Sequence, residues 1–204
     1  MFRINLVIFV TLLLLSGCSS VINQPVDNTT SIQSIEQRQQ QMQTLNQWEL
    51  AGKIAFIQEN KRQSATLFWQ RNDEKETEKL NLSTVFGINI LQLTREQQEF
   101  TLDVDDNEYK TKDLDQLIYS LTGLNLPTRA MSSWLKGIAY LPEDDIIYHP
   151  TSLLPLSLTS RYNNQEWQIK YNKYHIINQY QLAQQFTITQ GNFRIKIIIH
   201  SWTI

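Results

Sequence analysis

From Leu50 to the C-terminus, apolar residues recur at every second position, broken once near the middle, and this period commits most of the chain to β-strands. Lys53 to Ile57 reads as a strand, Asn60-Lys61-Arg62 as a turn, and Ser64 to Gln70 as the next strand. Ala65, Leu67 and Trp69 fall on one face of that strand, and Thr66 and Phe68 on the other. Asn72 to Glu78 reads as a charged loop, with Glu74, Glu76 and Glu78 solvated. Lys79 to Thr84, Ile88 to Leu93 and Phe100 to Val104 follow as strands, and Asp105-Asp106-Asn107 turns the chain into Glu108-Tyr109-Lys110. After the break, Leu156 to Tyr162, Glu166 to Tyr171, Gln185 to Thr189 and Phe193 to Trp202 resume the alternation.

The break is helical. Asp113 can cap a helix bearing Leu114, Leu117, Ile118 and Leu121 at i, i+3, i+4 and i+7, with Gly123 at its end. Thr128 can cap a second short helix with Met131, Trp134 and Leu135 on one face and Gly137 at its end. A third helix is expected over Ser31 to Trp48, where Ile35, Met42 and Leu45 stand among Glu and Gln, with Ser31 or Ser34 as cap. The alternative there is a glutamine-rich disordered stretch. The sum is an α+β chain of about ten strands and three helices, an antiparallel sheet that winds into a barrel or sandwich with helices inserted mid-sheet.

The N-terminus sets the compartment. Arg3 precedes the largely apolar run Ile4 to Leu15, which is shorter than the roughly 20 residues of a membrane-spanning helix and suits a signal peptide. Leu15-Ser16-Gly17-Cys18 then forms a bacterial lipobox, so residues 1–17 are expected to be removed and Cys18 to carry diacylglycerol and an N-acyl chain. Together these chains are enough for stable anchoring. Cys18 is the only cysteine, so no thiol remains for a disulfide and the fold must rest on its core. Ser19 rather than Asp follows the cysteine, which under the lipoprotein sorting rule points to the outer membrane. Residues 18–30 are polar and read as the lipidated end and a tether spanning roughly 20 Å. Residues 31–204 form one domain.

Net charge is −2, so nothing suggests a nucleic-acid partner. His149, His175 and His200 stand in no zinc-binding pattern, and no G-x-S-x-G elbow, P-loop or dinucleotide fingerprint occurs. Asp103, Asp105 and Asn107 open like a calcium loop, but Glu108 and Leu114 stand where that loop needs Gly and Glu, and the cluster reads as a solvated hairpin tip. No metal site, non-covalent cofactor or catalytic activity is indicated. Ser83 to Gly87 is unusual in placing Val85 and Phe86 where turn chemistry is expected. Phe86 either folds back into the core or stands out as a membrane-touching wedge.

Trp48 to Phe56 (WELAGKIAF), Ala65 to Gln70 (ATLFWQ), Leu121-Thr122-Gly123 followed by Leu126-Pro127, and Trp134-Leu135-Lys136-Gly137 resemble the outer-membrane lipoprotein receptor family LolB in order and spacing. The resemblance runs from about Leu45 to the C-terminus, and the helix–Leu-Thr-Gly–Pro–helix–Trp-x-x-Gly order is its specific part. It implies an incomplete, unclosed antiparallel β-barrel with a lid of short helices over an apolar cavity. It further implies a monomer that takes lipoproteins from the periplasmic carrier LolA and inserts their acyl chains into the inner leaflet of the outer membrane, facing the periplasm. Phe86, flanked by Val85 and Gly87, matches an exposed apolar residue, usually Leu, on the family's protruding insertion loop. Leu117, Leu121, Trp134 and Leu135 become candidates for the cavity lid, each with core packing as its alternative. The segment Ile138 to Pro142 departs from the family's Leu-Pro-Gly-like turn. Two other classes compete: a structural outer-membrane lipoprotein that scaffolds envelope proteins by strand addition without binding acyl chains, and a lipid-anchored hydrolase with a dispersed site. A cavity favours transport; a flat open sheet edge without one favours the scaffold.

Overall fold

Residues 34–59, 61–123 and 126–204 are described by a computed structural model. The signal segment, Cys18 and the tether lie outside the described residues. Ser34 opens α1 (Ile35–Gln43) with a capping box: the Gln37 amide donates to Ser34 Oγ at 3.1 Å, and the Ser34 amide donates to Gln37 Oε1 at 3.1 Å. The helix stops at Gln43, short of the expected Trp48, because Gln47 begins strand β1 and Trp48 and Leu50 already alternate inward.

The strands are β1 (Gln47–Gln58), β2 (Lys61–Asn72), β3 (Thr77–Ser83), β4 (Asn89–Glu96), β5 (Glu99–Val104), β6 (Asn107–Thr111), β7 (Asp145–Tyr148), β8 (Pro155–Tyr162), β9 (Gln165–Ile177), β10 (Tyr180–Gln190) and β11 (Phe193–Thr203). They make one antiparallel sheet in the order β6-β5-β4-β3-β2-β1-β11-β10-β9-β8-β7. The two edge strands β6 and β7 are consecutive in the chain, and the segment joining them carries α2 (Leu114–Thr122) and α3 (Thr128–Lys136). The barrel is therefore unclosed, and the helices sit between its edges rather than interrupting the sheet.

Several boundaries depart from the periodicity. β2 begins at Lys61, inside the expected turn, because the reversal is taken at Glu59, whose φ is +52°. β9 and β10 extend through Asn172 to Gln185, where inward and outward positions lose their apolar contrast. Thr128 does not cap α3: Pro127 holds that position without a side-chain bond, and the Thr128 hydroxyl donates to Asp115 of α2. Asp115 also accepts from Tyr162 Oη at 2.5 Å and from Asn163 Nδ2 at 3.2 Å, tying the two helices to the β8–β9 turn.

The main core joins β1, β2 and β8–β11 to α1 and α3, with Trp48, Trp134, Trp167 and Phe186 fully buried. A smaller cluster of Leu93, Leu102, Leu114 and Ile118 seats α2 on β4 and β5. Arg38 is buried and crosses from α1 to the end of α3, donating to the carbonyls of Gly137 (3.1 Å), Lys136 (3.0 Å) and Gln181 (3.3 Å). A cation at a helix C-terminus is favourably placed.

Gly52 lies at a bulge in the β1–β11 pairing, and a Cβ there would stand 2.2 Å from the Ile198 carbonyl oxygen. Backbone cannot yield as a side-chain tip does, so Gly52→Ala should destabilise the fold by about 1–3 kcal/mol. A urea titration checks this, and an unchanged midpoint would contradict the close approach.

Candidate functional site

Cross-strand registry builds a cavity from the inward residues of β2 to β5. Trp69, Leu80, Leu93 and Leu102 are directly opposed along one row, and Leu82 pairs with Leu91 in the next. Ile54, Phe56 and Ile195 continue the wall, and Leu114, Ile118, Leu126 and Met131 cover it from the helical segment. The cavity volume is about 470 Å³.

The row on the other side of Trp69 is charged. Arg71, Glu78 and Arg95 oppose one another on three adjacent strands, at register positions that elsewhere hold leucine. Glu78 is buried, not part of a solvated loop: β3 starts at Thr77 and turns Glu78 inward with Leu80 and Leu82. Its Oε1 accepts from Trp69 Nε1 at 2.7 Å, and its Oε2 lies 3.7 Å from Arg71 Nη1. Burial raises the Glu78 carboxyl above its ordinary range, against the opposing pull of Arg71 and the Trp69 bond. Arg71 also donates to Asp73 Oδ1 at 2.5 Å and to Ser132 Oγ of α3 at 2.9 Å, so the charged row is tied to the helical cover.

None of the four expected lid residues lines this cavity. Trp134 and Leu135 are fully buried in the main core, where Trp134 packs on Trp167 and Tyr162 with ring centroids 6.1 and 6.3 Å apart. Leu117 flanks the smaller cluster, and Leu121 is 40 % exposed on the last turn of α2. The helices are only nine residues long, and α2 has room to aim one pair, Leu114 and Ile118, at the sheet. From α3 it is Met131 that reaches the cavity.

The β3–β4 connection is a tight turn. The Thr84 carbonyl accepts the Gly87 amide at 3.0 Å, the Thr84 amide donates to the Ile88 carbonyl at 2.8 Å, and Thr84 Oγ1 accepts the Ile88 amide at 3.1 Å. Gly87 has φ +81°, a conformation that favours glycine. Phe86 stands out at 88 % exposure and Val85 at 80 %, so Phe86 does not fold back into the core. Ile88, just before β4, and Ile90 within it are exposed too and widen the apolar tip. This tip and α1 belong to opposite ends of the sheet. The tip follows Ser83, paired with Thr66, whereas α1 bonds to Gln179 and Gln181 beside the β9–β10 turn.

The sheet and helices resemble solved structures at very low identity. A putative outer membrane lipoprotein-sorting protein domain from Vibrio parahaemolyticus superposes with a TM-score of 0.57 at 7 % identity, covering 83 % of this chain and 90 % of that one. A LolA superfamily protein from Nitrosomonas europaea gives 0.55 at 5 % identity, covering 84 % and 93 %. Sequence relatives are nearer. The outer-membrane lipoprotein LolB of Aeromonas salmonicida is 34 % identical over 197 residues, 96 % of this chain and 94 % of its own. That of Vibrio cholerae is 30 % identical over 200 residues, 95 % and 93 %. The family model described as outer membrane lipoprotein LolB matches residues 46–202, and with this span the chain belongs to the LolB family of outer-membrane lipoproteins.

Proposed function

We propose that this protein receives lipoproteins from a LolA-like periplasmic carrier, shelters their acyl chains and inserts them into the inner leaflet of the outer membrane, where it is itself held by the acyl groups on Cys18. The observation that carries the reading is the largely apolar cavity of about 470 Å³ beneath short helices. Each CH₂ kept from water is worth about 0.8 kcal/mol, so acyl chains in transit need such a cover. A bilayer offers them a similar environment, and release therefore needs no nucleotide in principle. Val85, Phe86 and Gly87 form the tip that touches the bilayer during release. The cavity also weighs against the scaffold reading, which calls for an open sheet edge and no acyl site; the edge strands β6 and β7 have only five and four residues.

Among the described residues, all the buried hydrophobic core residues lie within 42–202, well clear of the anchor at Cys18. The protein with Cys18 replaced by Ser behind a cleavable non-lipoprotein signal should be soluble and take radiolabelled cargo from a purified carrier–lipoprotein complex. Cargo that stays with the carrier at excess of this protein would overturn the proposal.

A further inference from the structure

Along its sheet wall the cavity is polar at one end only, while Thr128, Arg129 and Tyr140 line it from the helical segment and the loop after it. Successive inward rows of the sheet are two residues apart, about 6.7 Å along the strands. The row Arg71–Glu78–Arg95 marks one end, the Trp69–Leu80–Leu93 row comes next, and the Leu82–Leu91 row lies about 13 Å from the charges. Beyond it the chain turns into the exposed 84–88 tip. Two guanidiniums face one buried carboxylate, and each guanidinium carries five N–H donors. Among the described residues Arg95 spends one of these, from Nε to the Gln97 carbonyl at 2.7 Å, and its guanidinium carbon lies 5.7 Å from the Phe100 ring centroid. The charged end reaches solvent. Gln98 and Lys112 line the cavity and are exposed, Gln98 in the turn next to Arg95, and Lys112 after Thr111, which pairs with Phe100.

Resting on the acyl-binding reading above, we propose that the cavity fixes the polarity of its ligand: the acceptor-rich head of an acylated molecule, its ester or amide carbonyls, sits at the Arg71–Arg95 row, and its tails run past the leucine rows toward the 84–88 end. The physical reason is twofold. A carbonyl oxygen at the apolar end would lose its hydrogen bonds with water and gain none. A hydrocarbon tail at the charged end would desolvate guanidiniums without compensation. A cargo polypeptide, too large for the cavity, also has to leave where the cavity meets solvent, as the charged end does at Gln98 and Lys112, and its lipidated residue would then lie there.

Trp69 reports on this arrangement, because it lines the cavity and bonds to Glu78 of the charged row. The non-acylated protein is titrated with stearoyl methyl ester brominated near the carbonyl or near the methyl end, and with the same chains as free acids. Bromine near the carbonyl should quench the fluorescence component that Trp69→Phe removes, and bromine near the methyl end should spare it. A Trp69→Phe, Phe56→Trp protein, with its reporter at the far wall, should show the reverse. Arg95→Gln should weaken the ester about tenfold, one charge-assisted hydrogen bond's worth, while leaving an alkyl probe without a carbonyl unchanged. A preference of the acid over the ester would assign the row to a carboxylate head with the same polarity. Equal quenching from both bromine positions, a reversed pattern at Trp69, or equal loss of ester and alkyl probe in Arg95→Gln would overturn the polarity while leaving acyl binding in place. Failure of every chain to bind would overturn the acyl-binding reading as well.

Discussion

Phe86→Glu should leave the melting temperature unchanged and cut the delivery of bound cargo to liposomes by about tenfold to a hundredfold, the value of one buried aromatic ring. The first half follows from the turn. Its hydrogen bonds are made by the backbone of Thr84, Gly87 and Ile88 and by Thr84 Oγ1, and none involves the Phe86 side chain. At 88 % exposure, the ring can be exchanged for a carboxylate that stays in water, and surface changes of this kind fall within about 0.5 kcal/mol. The second half follows from the proposed contact with the bilayer. Phe86 gains by leaving water and a carboxylate loses, so the tip would be held off the interface. Transfer from the carrier should persist, because the cavity is untouched. Ile88→Glu, on the same exposed surface, should deepen the defect. A large fall in melting temperature would contradict the turn geometry, and normal insertion by a stable Phe86→Glu protein would reduce the tip to an incidental surface feature.

The period-two pattern made most of the sheet legible because each strand has one inward face. It failed where that face is not apolar. Glu78 has the same parity as Leu80 and Leu82, but it follows Glu74 and Glu76 and so reads as the end of a solvated run. Arg71 and Arg95 hide in the same way, two residues from Trp69 and Leu93. Parity, not polarity, was the signal that could have found the charged row. Arg38 is the helical counterpart: it sits three residues after Ile35 and four before Met42, on the buried face, and its partners are carbonyls some hundred residues away that no local pattern reveals. Phe86 could be recognised as anomalous but not placed, since an apolar turn residue is equally consistent with tucking in or standing out. The lid residues were misplaced for a different reason. Helical spacing shows which residues share a face, whereas the neighbour that face meets is settled by how the edges β6 and β7 stand apart.

Trp134→Ala should cost about 3–5 kcal/mol, and Leu121→Ala less than about 0.5 kcal/mol, although both looked alike as lid residues. Trp134 is fully buried, packed edge-on against Tyr162 and tilted against Trp167 in the core that unites α3 with the sheet. Its removal leaves a hole bounded by large rings that have little room to collapse, so both the transfer and the cavity contributions apply. Because the ring belongs to the core and not to the cavity, the harm to cargo binding should come through unfolding: cargo affinity, measured well below the variant's melting temperature, should stay close to normal. Met131, one turn before Leu135 and lining the cavity, should behave in the opposite way. Met131→Ala enlarges an already open space, so its effect should appear first in the affinity for acyl chains. Chemical denaturation paired with a fluorescent acyl probe separates the two. If Trp134→Ala keeps its stability but loses the probe, Trp134 faces the cavity after all; if Met131→Ala binds the probe as well as the unaltered protein does, the cavity wall has been drawn on the wrong face of α3.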